Sequence, residues 1–281
     1  MLKENARKED DTMKRIGLLC ICLLFVWVAK AQYEAENKAF KAGENVTYDL
    51  YFNWKFVWVK AGTAQMSITE TTYNNEPAYR TFLQTKGNKR ADFFFIMRDT
   101  LENVMSQKLV PYYFRKGAEE GSRYTVDEVT FSYKDGKCHI KQSRHRKDRK
   151  PKYSQQVEEH CVYDMLSILA RARSFDPSDY KVGQKIRFSM ATGAAVEEQT
   201  LIFRGQEVVE ANDKQNYRCL KFSLVEYKEG KEHEVITFYI SDDANHLPIR
   251  LDMYLNFGSA KAFLTSVQGN RHPITSRVDK K

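Results

Sequence analysis

The sequence predicts a mainly β fold, a single curled antiparallel sheet wrapped around one central helix. Three observations carry this. Short runs of β-branched and aromatic residues recur along most of the chain. Phe and Tyr are abundant, at 17 and 16, while Pro numbers only 6, a balance that suits strands with aromatic faces. Only one segment has helical spacing. A continuous sheet that curls around that helix removes its own edges and gives the helix an apolar surface to bury against.

The elements follow in order. Asn45 to Phe52 and Phe56 to Thr72 are β-rich, the second long enough to need a bend at Ala61-Gly62. Asn74-Asn75 turns the chain into Ala78 to Lys86. Arg98 to Gln107 and Tyr112 to Lys116 are shorter runs. Arg123 to Tyr133 alternates apolar and polar residues, and Asp135-Gly136 returns it as Lys137 to Arg144, the clearest hairpin signal in the chain. Tyr163 to Arg173 then places Met165, Leu166, Ile168, Leu169 and Ala172 on one helical face. Asp164 is a good N-cap, Arg171 and Arg173 suit the negative C-terminal end, and Asp176-Pro177 stops the helix. Strands resume at Lys185 to Ala191, Glu198 to Arg204, Gln206 to Ala211 and Arg218 to Tyr227. A turn at Lys228-Glu229-Gly230-Lys231 leads to Glu234 to Ser241, Pro248 to Tyr254 and Ala260 to Gln268. No fixed-period repeat or low-complexity linker interrupts residues 32–271, which read as one domain, and 272–281 read as a flexible tail.

The N-terminus reads as an export signal over residues 13–31. Lys14 and Arg15 precede an apolar run from Ile16 to Val28, and Ala29-Lys30-Ala31 offers small residues for cleavage before Gln32. A membrane anchor is the competing reading, but the run is roughly 13 residues where a spanning helix needs about 20. Residues 1–12 carry charges of both signs ahead of the signal and read as an over-extended start, with Met13 the initiator. Removing residues 1–31 lowers the net charge from +8 to +6 and leaves Cys138, Cys161 and Cys219. Three cysteines allow at most one internal disulfide; three buried thiols are the equal alternative.

At this point the residues resemble a known family. Phe40-Lys41-Ala42-Gly43-Glu44-Asn45-Val46-Thr47-Tyr48, then Val59-Lys60-Ala61-Gly62-Thr63-Ala64, is similar to the opening of the DUF3108 family of exported bacterial proteins. The Asp164, Ser167 and Arg171 pattern resembles its central Asp-x-x-Ser helix. Tyr239 to Ile249, with Asp242, Asp243 and Pro248, followed by Gly258 to Ala262, resembles its C-terminal signature. The resemblance implies the periplasm of a Gram-negative cell and a sheet like that of periplasmic lipoprotein carriers. It implies no activity, because fold does not carry function.

Two stretches stand out as candidate sites. Phe52, Trp54, Phe56 and Trp58 fall at spacing two, so an extended chain places all four rings on one face. With Met165, Leu166 and Leu169, and with Phe93 to Met97 helping to close it, that face forms a groove for an acyl chain or apolar peptide. Between Lys137 and Lys152, Lys141, Arg144, Arg146, Lys147, Arg149 and Lys150 face only Asp148 after Asp135, and suit an anionic membrane surface. Export and the lack of interleaved aromatics argue against nucleic acid.

Other constellations carry no chemistry. Asp242-Asp243 lacks the further oxygen ligands a calcium loop needs and reads as a turn. His160-Cys161 with Asp164 and Ser167 has no third group to orient a base. No histidine spacing suggests a metal, and no cofactor motif is present. The expectation is a non-enzymatic envelope protein that binds a lipid, lipoprotein or protein partner. A scaffolding protein without a small ligand is the alternative, and an enzyme acting on envelope polymers comes third.

Overall fold

The computed structural model describes residues 33–54, 57–88, 96–147, 149–255 and 258–279. The signal segment, Phe56 and Phe93 to Phe95 lie outside the described residues, and of Trp54 only the backbone is described.

Eight strands form a meander: β1 (Asn45–Trp54), β2 (Val57–Tyr73), β3 (Glu76–Gly87), β4 (Met97–Ser106), β5 (Pro111–Glu120), β6 (Arg123–Lys134), β7 (Lys137–Arg146) and β8 (Lys152–Glu158). The two-residue strand β9 (Val162–Tyr163) and helix α1 (Met165–Ala172) follow. A second meander returns through β10 (Lys185–Ala191), β11 (Val196–Glu210), β12 (Asn216–Lys228), β13 (Lys231–Ser241), β14 (Pro248–Leu255) and β15 (Gly258–Gln268). A short β16 (Arg277–Val278) pairs with β12.

The sheet runs β8 through β1, then β15 back to β9, with β1 and β15 paired antiparallel from Asn45↔Gln268 to Asn53↔Ser259. Its two outermost strands, β8 and β9, are consecutive in the chain, separated by residues 159–161. The sheet is therefore a nearly closed barrel whose seam lies between sequence neighbours. All pairings are antiparallel except β9 with β10, and parallel neighbours require a crossover connection. Helix α1 is part of that crossover.

Turn chemistry matches the sequence at the tightest hairpins. Asn74-Asn75, Asp135-Gly136 and Glu229-Gly230 all have positive φ at both central positions, the geometry that fits the twist of two-residue hairpins. The bend expected at Ala61-Gly62 is a β-bulge: Leu50 pairs with Gly62 and Tyr51 with Lys60, leaving Ala61 over. A Cβ at Gly62 would lie 2.1 Å from the Lys86 carbonyl oxygen, so only glycine permits the approach of β3. The strands expected at 198–204 and 206–211 are one strand, β11, bulged between Phe203 and Gly205.

Helix α1 occupies the interior and reaches three apolar clusters. Leu166 packs with Leu101, Phe114, Val129, Phe131 and Ile140. Leu169 packs against the cluster of Val46, Tyr48, Leu50, Leu247 and Leu264. Ala170 meets Phe40, Ile68, Met105 and Leu109. Its start is a capping box, with the Asp164 carboxylate accepting from the N–H groups of Leu166 and Ser167 while the Ser167 hydroxyl meets the Asp164 N–H. Its end is fixed by Arg173. That guanidinium donates through Nη1 and Nη2 to the Glu44 carboxylate at 2.6 and 2.9 Å and through Nε and Nη2 to the Asn245 carbonyl, over the Phe40 ring. Both side chains are buried, at 2% and 0% exposed.

The segment expected to be a flexible tail is held. Ser276 is fully buried and donates to Asp243, its carbonyl accepts from the Arg218 N–H, and the His272 carbonyl accepts from Asn245. The sequence signal for disorder, a polar composition, is here the signature of a strap bonded to a polar loop.

Removing one partner of a buried pair leaves an uncompensated charge, at a cost of about 3–5 kcal/mol. Glu44→Gln and Arg173→Met should each lower unfolding free energy in urea by that order. The Glu44→Met/Arg173→Met double variant should lose less than the sum of the singles, which a double-mutant cycle measures directly.

Candidate functional site

Antiparallel order sorts the connections between strands to two ends. The connections 74–75, 107–110, 135–136, 159–161, 211–215 and 242–247 lie at one, together with the chain before β1 and after β15. This end is closed. The Tyr33 hydroxyl donates to the carbonyls of Gly136 and Glu159, the Ala35 N–H to Lys108, and Arg171 Nη1 to Tyr33 at 3.0 Å. The Gly43 N–H donates to Ile68 at 2.8 Å. Asp242 accepts from Arg218 Nε at 2.7 Å, and Asp243 accepts from Ser241, Asn245 and Ser276. The Pro248 carbonyl accepts from Tyr48. Gly43, Glu44, Gly62, Asp164, Ser167, Arg171, Asp242, Asp243 and Pro248 thus all sit in structural bonds or close contacts, most of them at the closed end or along the helix.

The other end carries the connections between β1 and β2, β3 and β4, β5 and β6, β7 and β8, β10 and β11, β12 and β13, and β14 and β15. It joins the two stretches that the sequence marks separately. Phe52 and Trp58 do not share a face, because Trp54 pairs with Val57 and β1 and β2 form a hairpin. Phe52 pairs with Val59 on the inward face, while Trp58 pairs with Asn53 on the outward face, where Lys261 Nζ stands 4.7 Å from its ring centroid. The groove expected beneath the helix is likewise corrected. Leu166 and Leu169 pack against core clusters, and Met165 is 46% exposed. The apolar surface instead lies at the hairpin tips: Val57, Trp58 and Val59, beside Tyr254 and Leu255 at the end of β14, are all exposed.

The basic stretch reaches the same end through the β7–β8 connection. Lys147, Arg149 and Lys150 are exposed there, with Arg146 and Lys152 flanking them. Lys141 is exposed on the outward face of β7. Arg144 is not a surface charge. Its Nε and Nη2 donate to Asp127 at 2.6 and 2.9 Å, and Nη2 also donates to the Thr192 carbonyl. Its expected role on an anionic surface is replaced by one in the barrel seam. There Gln142 Oε1 accepts from the Gly193 N–H and Gln156 Oε1 from the Val196 N–H, so side chains of β7 and β8 bind the β10–β11 hairpin where no ladder joins β8 to β9.

Among the described residues, Cys138, Cys161 and Cys219 are free thiols. Burial pushes Cys138 up to about 11 and Cys219 up to about 12, and it raises Cys161 as well. All three stay protonated and poorly nucleophilic at neutral pH. His160 Nε2 lies 2.7 Å from Ser189 Oγ rather than against Cys161. Among the described residues no group of three His, Cys, Asp or Glu is placed to hold a metal ion, and no helix is long and apolar enough to cross a membrane.

Asp164 is a carboxyl whose titration the core raises. Burial lifts its carboxyl to about 6, against opposing hydrogen bonds from Ser167, Leu166 and Asn103. Asn103 Nδ2 donates to it at 2.6 Å, while Asn103 Oδ1 has no partner among the described residues. A carboxyl whose folded value lies above the ordinary 3.8 contributes stability below about pH 4 and loses it as pH rises through about 6. Asp164→Asn keeps a good N-cap and removes this titration. Its unfolding free energy relative to the parent should therefore rise by about 1–3 kcal/mol between pH 4 and pH 7, as read by urea denaturation at both values.

The sequence profile of a protein family of unknown function, DUF3108, matches residues 47–265. Comparison with curated proteins finds no match. Among solved structures, the chain is similar to a β-barrel-like protein of a domain of unknown function, DUF1849, from Brucella abortus, with 10% identity, a TM-score of 0.46, and coverage of 84% of this chain and 98% of that one. It is also similar to a protein with a YmcC-like fold from Bacteroides fragilis, with 9% identity, a TM-score of 0.34, and coverage of 84% and 99%. The family match spans well over half of the chain, both meanders and the helix between them: the protein belongs to the DUF3108 family.

Proposed function

We propose that this is an exported, non-enzymatic protein of the cell envelope that docks end-on against an anionic lipid surface. One observation carries the reading: exposed apolar tips and a basic hairpin stand at the same end of the barrel, on well-separated strands. Val57, Trp58, Val59, Tyr254 and Leu255 crown β2 and β14, whereas Arg146, Lys147, Arg149, Lys150 and Lys152 crown β7 and β8. Five strands lie between β1 and β7 in a ring of fifteen, so the two groups lie nearly across from each other. A partner that meets both at once is broad and flat, apolar beneath its surface and anionic on it. A lipid leaflet fits that description, with each basic residue near an anionic surface contributing about 1 kcal/mol and the aromatic tips suited to the headgroup boundary. The export signal over residues 13–31 supports the periplasm as the place of contact.

The interior favours this rim contact over an internal acyl groove, because Leu166, Leu169 and Ala170 fill the space the groove would need. The plugged interior also favours the scaffolding alternative, in which the end is a protein contact.

Vesicles of phosphatidylglycerol mixed with phosphatidylcholine should sediment the mature protein at low salt. Vesicles of phosphatidylcholine alone should not. Val57→Ser/Trp58→Ser should weaken binding about 10-fold, and the same vesicles should shift the tryptophan emission of the parent to the blue. Absence of sedimentation with either vesicle, or a concentration-dependent dimer abolished by the same two substitutions, would refute the lipid reading.

A further inference from the structure

We propose that a pocket on the inward face of β5, β6 and β7, near the end that carries the β5–β6 and β7–β8 connections, binds a single phosphoryl group. The inference rests on the lipid-facing reading only for the source of that group, not for the site itself. The pocket encloses about 170 Å³ and is lined by Lys116, Ala118, Arg123, Thr125, Asp127, Arg144 and Arg146.

Register places these side chains together. Lys116 pairs with Asp127 and Asp127 with Arg144, while Ala118 pairs with Thr125 and Thr125 with Arg146. Directly paired residues share a face, as do residues two apart. The same face continues inward to the buried Phe114, Val129, Phe131 and Ile140. The cations therefore lie on the inward face at the rim of the barrel and not on its outer surface.

The floor of the pocket is built before any ligand arrives. Asp127 fixes Arg144 by two parallel hydrogen bonds, and the Thr192 carbonyl holds the same guanidinium from the other side of the seam. These bonds use Nε and Nη2 and leave Nη1 without a protein acceptor among the described residues. Gly193 presses on the back of Asp127: a Cβ there would lie 2.5 Å from Asp127 Cβ and Cγ, at φ +83. Asp127 is thus committed to Arg144 and does not neutralise the rest of the pocket.

Arg123 and Arg146 form no ion pair among the described residues, and Thr125 adds a hydroxyl between them. Asp127 is the one carboxylate among the lining residues and is paired with Arg144, so the positive charge of Arg123 and Arg146 remains in excess. Like charges gathered on one face repel, and guanidinium groups satisfy that excess best on a tetrahedral oxyanion through charge-assisted hydrogen bonds. A phosphoryl group fits the volume, and the charged lining does not suit an acyl chain. The group's source is either a lipid headgroup or a free phosphate ester.

Calorimetric titration of the full mature protein with dihexanoyl phosphatidic acid, kept below its micelle concentration, tests the site without a bilayer. Saturable one-to-one binding that Arg123→Gln/Arg146→Gln weakens at least 10-fold, with Val57→Ser/Trp58→Ser unchanged, supports the pocket and a headgroup source. Inorganic phosphate that binds as tightly, with the same loss in the arginine variant, supports the pocket and a free-anion source. Equal binding of sulfate and phosphate that ignores the arginine substitutions overturns the proposal, as does no binding of any of the three. Both arginines are exposed and outside the core, and an unchanged thermal midpoint of the variant confirms that its fold is intact. Failure of vesicle docking with a working pocket would remove the membrane reading alone.

Discussion

The buried pair of Arg173 and Glu44 is the constraint on which the rest of this barrel depends. It joins the start of the first meander, the end of the crossover helix and, through the Asn245 carbonyl, a loop of the second meander. Those three points are far apart in sequence and have no ladder between them. Burial of two charges is expensive, and attraction repays it only when the remaining hydrogen-bonding capacity is met. Here Nε and Nη2 meet a carbonyl, Nη1 and Nη2 meet both carboxylate oxygens, and an aromatic ring covers the guanidinium. The pair acts as a registration device. A helix of eight residues is too short to hold itself, and it is fixed at the N-terminal end by its capping box and at the C-terminal end by this ion pair.

With the helix fixed, the sheet can approach closure without completing it. An open fifteen-stranded sheet would expose two edges, each a template for association. The chain avoids this by making the two edge strands sequence neighbours and by covering the gap with side chains. Gln142, Gln156 and Arg144 bind the backbone of residues 192–196 in place of a ladder. That substitution explains why the inward face of β7 and β8 turns polar toward the open end, where a closed barrel would keep it apolar. The seam and the cationic mouth are consequences of one topological choice.

Much of this was legible in the sequence where local chemistry decides structure. The Asn74-Asn75, Asp135-Gly136 and Glu229-Gly230 turns demand positive φ and fix their hairpins. The helix was marked by its cap as well as by its spacing, and its observed bounds, Met165–Ala172, lie inside the expected ones. What local chemistry does not decide was misread or missed. The strand β8, Lys-Tyr-Ser-Gln-Gln-Val-Glu, has polar inward residues because Gln156 serves the seam, so its alternation carries no hydrophobic signal. The two-residue β9 exists only through its parallel partner. Spacing alone puts the rings of Phe52 and Trp58 on one face, because no Gly or Asp marks the reversal between their strands. The partner of Glu44 could not be read at all, since 129 residues intervene.

The same limit applies to the candidate site. The aromatic stretch and the basic stretch were each visible, but their relation was not, because it depends on the parity of strands between them. β1 and β7 are both odd members of one meander, so they point the same way and end at the same rim. An additional strand between them would have sent the basic hairpin to the closed end, among the straps that hold the termini. A functional surface built this way is encoded less in the identity of either stretch than in the number of reversals that separates them. Arg144 shows the converse: a residue that composition assigns to the surface is drawn inward by Asp127, its cross-strand partner, and supplies the fixed floor beneath the charges that remain.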